Sequence, residues 1–417
     1  MRILALIAEY NPFHNGHLYH LKESKKITGA SHTIALMSGN FLQRGEPALV
    51  DKWNRAKMAI LNGVDLVIEL PTIFACATAE LFAWGGVKLL DDLGVVNSLV
   101  FGSEAGDLSS LNMLAKILLE SPQSFESKLK SFLSQGMPFP AARSKAMKHY
   151  CITHLGYHTD IHKMMSSPNN ILAIEYLKAL NKLDSPINPK TITRVNATYH
   201  SKEIKNKIAS ATAIREKLRK TPLSLTEIKN VVPKPTYESL SLAYSRGLAP
   251  VFEEDFSQAI LASIRRMDSK DLVRYFDVKE GLENRISKSG HNSNDLSSLY
   301  GSIKSKRYTL TRIQRICIHI LLNLDKDIIK KYKTLGPRYI RVLGLNNKGR
   351  EILRLCKQKS KLPIISKIPR NIPWDSTIEE MLQVDIKASS IYGLALGDSN
   401  YASKIMDFYE KPYYKNS

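Results

Sequence analysis

The sequence predicts an α/β fold, with a parallel β-sheet domain in the N-terminal half and a mainly α-helical, basic domain in the C-terminal half. Two observations support this prediction. Over residues 1–110, short apolar segments alternate with helical segments, which is typical of βαβ units. Beyond Pro233 and Pro235, helical segments rich in Lys and Arg replace that alternation. We therefore expect two domains, residues 1–225 and residues 226–417, with the change near residues 225–240.

Four strands are predicted early in the chain, at residues 3–8, 33–37, 65–70 and 98–102. The helices predicted between them lie at residues 17–28, 47–62 and 77–90. Connections of this kind are right-handed crossovers, so the strands run parallel and helices cover both faces of the sheet. Ligand sites in such sheets form at the C-terminal ends of the strands. The segments that follow residues 8, 37, 70 and 101 are therefore expected along one edge.

The remainder of the chain is predicted to be mostly helical. Residues 108–190 are expected to form helices, and residues 191–195 to return as a last strand. A polar loop follows, and then a helix from about Thr212. In the C-terminal half, the polar segment at residues 287–297 is predicted to be a loop between helices.

The net charge of +21 is concentrated in the second half of the chain. Residues 1–200 contain 20 Lys and Arg against 16 Asp and Glu, whereas residues 201–417 contain 40 against 23. A polyanionic partner such as RNA explains this asymmetry, because each neutralised phosphate releases a condensed counterion. The alternative interpretation is a generically basic surface. No basic amphipathic helix with a continuous apolar face stands out, so a membrane surface ranks below RNA.

The composition indicates a cytoplasmic, globular protein. Hydrophobic residues make up 43% of the chain, which excludes wholesale disorder. Charges interrupt every long apolar stretch before it reaches the roughly 18 residues of a membrane span. The four cysteines are scattered and form no CxxC pair, so we expect reduced thiols. Four histidines lie between residues 149 and 162, but Gly156 interrupts their helical spacing and we expect no zinc site there.

A polar motif follows the first strand and reads Glu9-Tyr10-Asn11-Pro12-Phe13-His14-Asn15-Gly16-His17. Pro12 favours an extended Asn11, and the chain then enters a helix at about His17. Gly16 lets a ligand approach the helix N-terminus, where N–H groups and the helix dipole favour anions. His14 and His17 can both direct imidazole N–H groups at one phosphate. This arrangement suits the charge that builds on an α-phosphate during in-line attack, although a plain helix start is the alternative interpretation.

A second element lies about 200 residues later and reads Ile208-Ala209-Ser210-Ala211-Thr212-Ala213-Ile214-Arg215. It places two hydroxyl groups and a guanidinium at a predicted helix start, which is the arrangement of a second phosphate clamp. The order and separation of the two elements make a chance combination harder to accept than either element alone.

Together the two elements resemble the signature of the HIGH-type nucleotidylyltransferases, in which HxGH near the N-terminus precedes an SSTxIR-like element. The resemblance implies a Rossmann-like domain in which the two histidines flank the α-phosphate and the later Ser, Thr and Arg bind the outer phosphates. Ala211 departs from that pattern, because a second Ser is usual there. The catalytic residues that the resemblance implies are His14, His17 and Arg215.

Further segments resemble one bacterial family, the tRNA(Met) cytidine acetate ligases. These segments are AEYNPFHNGH, SGNFLQRGEPALVDKW, GVDLVIELP, FGSE, SPNNILAIEYLKAL and TRVNATYH. The resemblance implies that ATP and acetate form acetyl-adenylate. It also implies that the acetyl group passes to N4 of the wobble cytidine (ac4C34) of elongator tRNA(Met). The similarity is specific in the N-terminal half and weaker in the basic C-terminal half.

The resemblance also implies a set of nucleotide-binding residues. Asn169 is preferred over Asn170 in this set, but the choice between the two stays open. The implied residues are Ile7, Ala8, Glu9, Tyr10, Asn11, Pro12, Phe13, His14, Asn15, Gly16, His17, His20, Gly102, Asn169, Arg194, Ser210, Thr212 and Arg215.

The chemistry of adenylate formation fits these residue types. Acetate is already ionised at pH 7, so its attack on the ATP α-phosphate needs no general base. Charge stabilisation and positioning are required instead, and two imidazoles, a helix N-terminus and an Arg supply them. Mg²⁺ is expected to bridge the pyrophosphate oxygens.

Several other basic residues have open interpretations. Arg44 follows the second strand and is expected either to bind phosphate or RNA or to cap its loop. Lys52, Arg55 and Lys57 are expected to form a solvated helix face. In the C-terminal half, basic residues interleave with tyrosines, which suits phosphate contact and base stacking. These residues are Lys304, Lys306, Arg307, Tyr308, Arg312, Arg315, Lys330, Lys331, Tyr332, Lys333, Arg338, Tyr339 and Arg341.

Two rival functions remain open at this stage. A metabolic adenylyltransferase would join ATP to a phosphorylated small molecule, but it needs no second half with a charge of +17. An RNA-binding protein with a relict nucleotide fold would not need His14, His17 and Arg215. The oligomeric state has no signal in the sequence.

Overall fold

The computed structural model describes residues 1–157, 160–194, 208–221, 224–369 and 375–416. Within these residues the strands are β1 (Ile3–Ala8), β2 (His32–Ser38), β3 (Leu66–Leu70), β4 (Ser98–Ser103), β5 (Asn188–Thr193), β6 (Ile340–Leu345), β7 (Ile364–Ile365) and β8 (Tyr413–Tyr414). They form one sheet in the order β5-β4-β1-β2-β3-β6-β7, and β8 pairs with β6. Strands β1 to β5 run parallel to one another, as predicted for an α/β fold.

The N-terminal half alternates strands and helices as the sequence predicted. Its helices are α1 (Asn15–Thr28), α2 (Lys52–Leu61), α3 (Thr72–Ala75), α4 (Ala79–Asp92), α5 (Leu108–Glu120), α6 (Gln123–Ser134), α7 (Phe139–Leu155), α8 (Ile161–Ser166), α9 (Pro168–Leu183) and α10 (Ala211–Lys220). Helix α2 begins at Lys52 rather than at residue 47, because the Asp51 carboxylate caps it and accepts from the backbone N–H groups of Trp53 and Asn54.

The C-terminal half is mostly helical, as predicted, but it also extends the sheet. Its α-helices are α11 (Lys234–Ser245), α12 (Ser257–Arg265), α13 (Ser269–Leu272), α14 (Leu282–Asn292), α15 (Leu296–Ile303), α16 (Leu310–Leu322), α17 (Lys326–Leu335), α18 (Asn347–Lys359), α19 (Ser376–Gly393), α20 (Ser399–Ala402) and α21 (Met406–Tyr409). Short 3₁₀ helices lie at Thr226–Ile228 and Glu253–Phe256. Strand β6 pairs antiparallel with β3, so both halves of the chain share one sheet.

The loop predicted at residues 287–297 is shorter than expected and spans only residues 293–295. Helix α14 covers most of this segment and α15 begins at Leu296. The segment is helical because Leu282, Ile286 and Gly290 form a buried stripe against α12. Gly290 permits close contact, since a Cβ atom there would lie 2.4 Å from Cγ2 of Ile264.

The expectation of a solvated face on α2 was wrong. Lys52 and Arg55 are buried completely. The ammonium group of Lys52 contacts the carboxylates of Glu69 at 2.9 Å and of Asp407 at 2.8 Å. A buried charge requires such partners, because leaving water costs several kcal/mol per ion. Asp407 belongs to α21, so the C-terminal end of the chain neutralises a charge within the N-terminal half.

All four cysteines are unpaired and buried. In the part of the chain that the structure describes, no helix is long and apolar enough to cross a membrane.

Candidate active site

A cavity of about 520 Å³ opens at the C-terminal ends of β1 and β4. The N-terminal ends of α1, α10 and α16 also contribute to its wall. The lining residues that the sequence had implicated are Ile7, Ala8, Glu9, Tyr10, Asn11, His14, Gly16, His17, His20, Arg44, Gly102, Asn169, Arg194, Ser210, Thr212 and Arg215. The motif after the first strand and the element at residues 208–215 therefore meet in one site.

Three residues of the first motif do not line this cavity. Phe13 is fully buried in the core and packs against His17, with 5.6 Å between ring centroids. Asn15 begins α1, and its side chain donates to the carbonyl of Asn230 at 3.0 Å. Pro12 is buried and forms a cis peptide bond with Asn11. These three residues pack on the side of the motif that faces away from the cavity.

The two histidines of the motif stack on one another. Their ring centroids lie 3.7 Å apart with 25° between the planes. Nδ1 of His14 accepts from the backbone N–H of Gly16 at 3.0 Å. Nδ1 of His17 accepts from the backbone N–H of His14 at 3.2 Å. Because Nδ1 is an acceptor in both neutral rings, the proton of each ring resides on Nε2.

Burial keeps these imidazoles neutral. Burial, together with the nearby Arg194 guanidinium, lowers the pKa of His14 to about 3. Burial and the neighbouring His14, Arg194 and His20 hold the pKa of His17 well below its ordinary value. The pKa of His20 is lowered to about 4 by the same burial. Nε2 of His20 is buried without a hydrogen-bond partner in the described part of the chain.

Gly16 leaves room for the His14 ring. A Cβ atom on Gly16 would lie 2.8 Å from Cε1 and 3.0 Å from Nδ1 of His14. These distances are shorter than van der Waals contact, so any larger residue would displace the imidazole. The small residue at this position is required by the ring as well as by a ligand.

A second wall comes from β4, β5 and α9. Arg194 donates to Oδ1 of Asn169 at 2.6 Å, and the Asn169 amide donates to Glu104 at 2.7 Å. A Cβ atom on Gly102 would lie 3.2 Å from Cγ of Arg194, so glycine leaves space for that side chain. Asn170 is buried, and its Oδ1 accepts from the backbone N–H groups of residues 104 and 105. Asn169 therefore faces the cavity, whereas Asn170 holds a loop.

Helix α10 points its N-terminus into the cavity. Ser210 caps the helix, because its hydroxyl oxygen accepts from the backbone N–H of Ala213 at 3.1 Å. Thr212 is exposed on the first turn. The guanidinium of Arg215 donates to Glu46 and lies 3.5 Å from Glu253. A polyphosphate that enters the cavity can therefore displace these two carboxylates and bind the guanidinium of Arg215.

Sequence reasoning missed several residues of the cavity wall. Glu46 lies within a segment that had been quoted, next to Arg44, and its charge was the available signal. Burial and the neighbouring Glu46 raise the pKa of Glu253. No local pattern marks Glu253, because it enters the site only through tertiary packing. Gln43 lies in the segment that was expected at this edge of the sheet, and the remaining missed residues include Tyr176, Arg219, Leu310, Thr311 and Gln314.

The predicted stacking surface of the C-terminal half is corrected by the structure. Tyr308, Tyr332 and Tyr339 are buried and Arg341 is 1% exposed, so these side chains cannot stack on bases. They are buried because they complete the core, and the Tyr308 hydroxyl donates to the Glu280 carbonyl at 2.9 Å. The exposed members of the set are Lys304, Lys306, Arg307, Lys330, Lys331 and Lys333.

Among the described residues, no group of three or more His, Cys, Asp or Glu side chains is arranged to hold a metal ion. His158 lies outside those residues.

Known proteins share this architecture. A sequence model of the family described as HIGH Nucleotidyl Transferase matches residues 1–406. A relative from Alkaliphilus metalliredigens, named tRNA(Met) cytidine acetate ligase, is 48% identical over 100% of this chain and 99% of its own. A relative of the same name from a Thermoanaerobacter species is 47% identical over 98% of both chains.

Solved structures of a protein from the same group also match this chain over its full length. Thermotoga maritima TmcAL bound with alpha-thio ATP matches over the full length of both chains, with a TM-score of 0.93 and 35% identity. The apo form of that protein matches equally completely, with a TM-score of 0.95 and 36% identity. The fold and the paired histidines place this chain in the class of HIGH nucleotidyl transferases. Within that class, the chain belongs to the tRNA(Met) cytidine acetate ligase family.

Proposed function

We propose that this protein is an ATP-dependent tRNA acetate ligase. It activates acetate as acetyl-AMP and then acetylates N4 of the wobble cytidine of elongator tRNA(Met). The observation that carries the first half of this proposal is the stacked His14–His17 pair, whose Nδ1 atoms are both occupied by backbone donors. Full-length relatives with 48% and 47% identity carry the name of this activity and support the second half.

In the first step, an acetate oxygen attacks the α-phosphate and pyrophosphate leaves. Negative charge on the α-phosphate oxygens grows in the transition state. A neutral imidazole stabilises this charge by donating a hydrogen bond from its Nε2–H group. The N-terminus of α10 and the Arg215 guanidinium bind the outer phosphates. Mg²⁺, when bound, neutralises charge on the pyrophosphate.

In the second step, RNA presents its acceptor base to the same cavity. The C-terminal half carries 40 Lys and Arg against 23 Asp and Glu over residues 201–417, which suits a polyanion. A small-molecule adenylyltransferase would need no such surface. A tRNA substrate therefore accounts for both the cavity and the charge.

The first experiment is acetate-dependent exchange between ATP and labelled pyrophosphate, with other short acids and no acid as comparisons. Exchange with acetate is expected in the wild type, and it should fall by at least about 10²-fold in His17→Ala, because one donor to the transition state is lost. A thermal melt checks that this variant folds. Absence of exchange with every acid, with and without tRNA, would refute the proposal and favour one of the two rivals.

A further inference from the structure

The cavity extends beyond the nucleotide motif to a wall that the C-terminal half provides. Leu310, Thr311 and Gln314, from the first turns of α16, line it together with Arg44 and Glu46. In the proposed function, ATP contacts the two histidines, the N-terminus of α10 and Arg194. The wall at α16 is therefore surplus to nucleotide binding and available to a second substrate.

The loop at residues 43–46 connects this wall to the motif after β1. The backbone N–H of Gln43 donates to Oε1 of Glu9 at 2.9 Å. Gly45 has a positive φ of 78°, and a Cβ atom there would lie 2.4 Å from the carbonyl carbon of Gln314. Helix α16 is fixed further along, because Nε2 of His319 bonds the carbonyl of Cys76 at 2.7 Å. Glu9 and Gln314 are therefore held by the same loop.

The carboxylate of Glu9 lines the cavity, and its Oε1 accepts from the backbone N–H of Gln43. Buried carboxylates normally pair with a cation or become protonated. Burial raises its pKa, and the nearby Glu46 raises it as well, while Arg44, Arg55 and the Gln43 N–H act in the opposite direction. Tyr176 and Cys76 are the other titratable groups that sense its charge. Such a carboxylate is suited to accept a proton.

Gln314 is 5% exposed and lines the cavity, yet its side-chain amide forms no hydrogen bond with a residue that the structure describes. Buried amides are normally paired, so this one has capacity for a ligand. Its NH₂ group can donate to the ring nitrogen and carbonyl oxygen of an aminopyrimidine. Those contacts would leave the exocyclic amine of the base facing the adenylate.

On the basis of the proposed function, we propose that the space between Glu9 and Gln314 is the subsite for the acceptor base, an aminopyrimidine presented by RNA. The amine nitrogen attacks the carbonyl carbon of acetyl-AMP, a C–N bond forms, and the bond from the acetyl carbon to the AMP oxygen breaks. AMP leaves with the electron pair of that bond. The proton that the nitrogen loses passes to the Glu9 carboxylate and from there to solvent. Gln314 holds the base in place.

The test separates the two half-reactions with an in-vitro-transcribed elongator tRNA(Met) and labelled acetate. Glu9→Gln keeps an oxygen that can accept from Gln43. It is expected to slow acetyl transfer at least ten times more than it slows pyrophosphate exchange. In single-turnover transfer from preformed acetyl-AMP, the wild-type rate falls as the pH drops through the raised pKa of Glu9. That acid limb is absent from the variant.

Gln314→Leu tests the base contact independently of Glu9. We expect the KM for tRNA to rise at least ten times more than the KM for ATP. Gln358→Leu, at an exposed position on α18, is the matched control and leaves both constants as in the wild type. Equal losses in exchange and transfer in Glu9→Gln, or unchanged transfer in both site variants, would overturn this inference. Wild-type protein without acetate-dependent exchange would instead refute the proposed function itself.

Discussion

Gly16 determines where the His14 imidazole can lie. In Gly16→Ala, the new methyl group would overlap the ring, which would swing away and lose the Gly16 N–H that orients Nδ1. We expect the rate of acetate-dependent pyrophosphate exchange to fall by about 10²-fold, the usual cost of losing one transition-state donor. Exchange assays at saturating ATP measure this effect.

Gly301→Ala is the control for that substitution. Gly301 also lies in a helix, and a Cβ atom there meets no other atom within 4 Å. The control should retain wild-type exchange and gain slightly in stability, since Ala is the better helix former. Similar exchange rates for the two variants would show that the ring does not depend on Gly16.

Acid destabilisation should report the burial of His14. Its pKa is about 3 in the folded protein and about 6.5 when unfolded, so below pH 6.5 the unfolded chain binds a proton that the native state does not. Stability therefore falls as the pH falls, by roughly 2 kcal/mol between pH 6.5 and pH 5 from this residue alone. Urea unfolding at several pH values should show a smaller acid loss in His14→Gln than in the wild type. Equal losses would contradict the assigned burial.

At the scale of single residues, the sequence predicts the residues of the two motifs better than it predicts the residues that pack around them. The paired histidines and Gly16 lie in one short motif and Arg215 in another, and each motif can be recognised without knowledge of the tertiary structure. Glu253 and Gln314 could not be predicted, since only the packing of the C-terminal half brings them to the cavity. Arg55 was wrongly expected to be exposed for the same reason, because a short-range pattern does not show which charged side chains form hydrogen bonds or ion pairs in the interior.

At the scale of elements, helix α2 holds the loops after β1 and β2 together through Arg55. Its guanidinium donates to the carbonyls of Glu9 at 2.6 Å, Ser38 at 3.1 Å and Val50 at 3.0 Å, and also to Gly39. Arg55→Met would leave buried carbonyls without donors and is expected to cost at least about 3 kcal/mol in the free energy of unfolding. Urea midpoints measure this cost.

Lys57→Met on the same helix provides the matched comparison. Lys57 is half-buried, and its ammonium group lies 5.7 Å from the centroid of the Tyr413 ring. Losing such a cation–π contact costs about 1 kcal/mol or less. If both variants unfolded at the same urea concentration, Arg55 would not be the tie between the two loops.

The strands of the N-terminal half were predicted well because each is a short apolar run between turn signals. The prediction for β1 was confirmed at both ends. Strand β2 is one residue longer than predicted at each end, and β3 and β4 each differ from the prediction by one residue at one end. Strand β5 begins three residues earlier than expected, where Asn188 pairs with Ser98, because pairing rather than hydrophobicity sets its start. Strand β6 was not predicted, since its apolar run lies among basic helices and its partner β3 is distant in sequence.

At the scale of the whole molecule, the two halves share more than a linker. Strand β6 covers the edge of β3, and Asp407 forms a buried ion pair with Lys52, which also pairs with Glu69. Breaking a buried pair of this kind typically costs 3–5 kcal/mol, so the N-terminal half depends on the last residues of the chain. The division into two domains near residues 225–240 stays a prediction.

The affinity for tRNA should fall as the salt concentration rises, because basic residues of the C-terminal half contact the phosphates. Lys304 and Lys306 are exposed just before α16, whose first turns line the cavity, so an RNA that enters the cavity passes close to them. Each phosphate contact contributes about one unit to the slope of log Kd against log salt concentration. The double variant Lys304→Ala and Lys306→Ala is therefore expected to reduce that slope by about two. Filter binding of elongator tRNA(Met) over a series of KCl concentrations measures it.

The control for this measurement removes the same charge from the N-terminal half. Lys116 and Lys130 are exposed on α5 and α6, and their double Ala variant should keep the wild-type slope. A generically basic surface would respond alike to both double variants, because only total charge would matter. A smaller slope in the C-terminal variant alone would instead locate phosphate contacts beside the wall that α16 contributes to the active site.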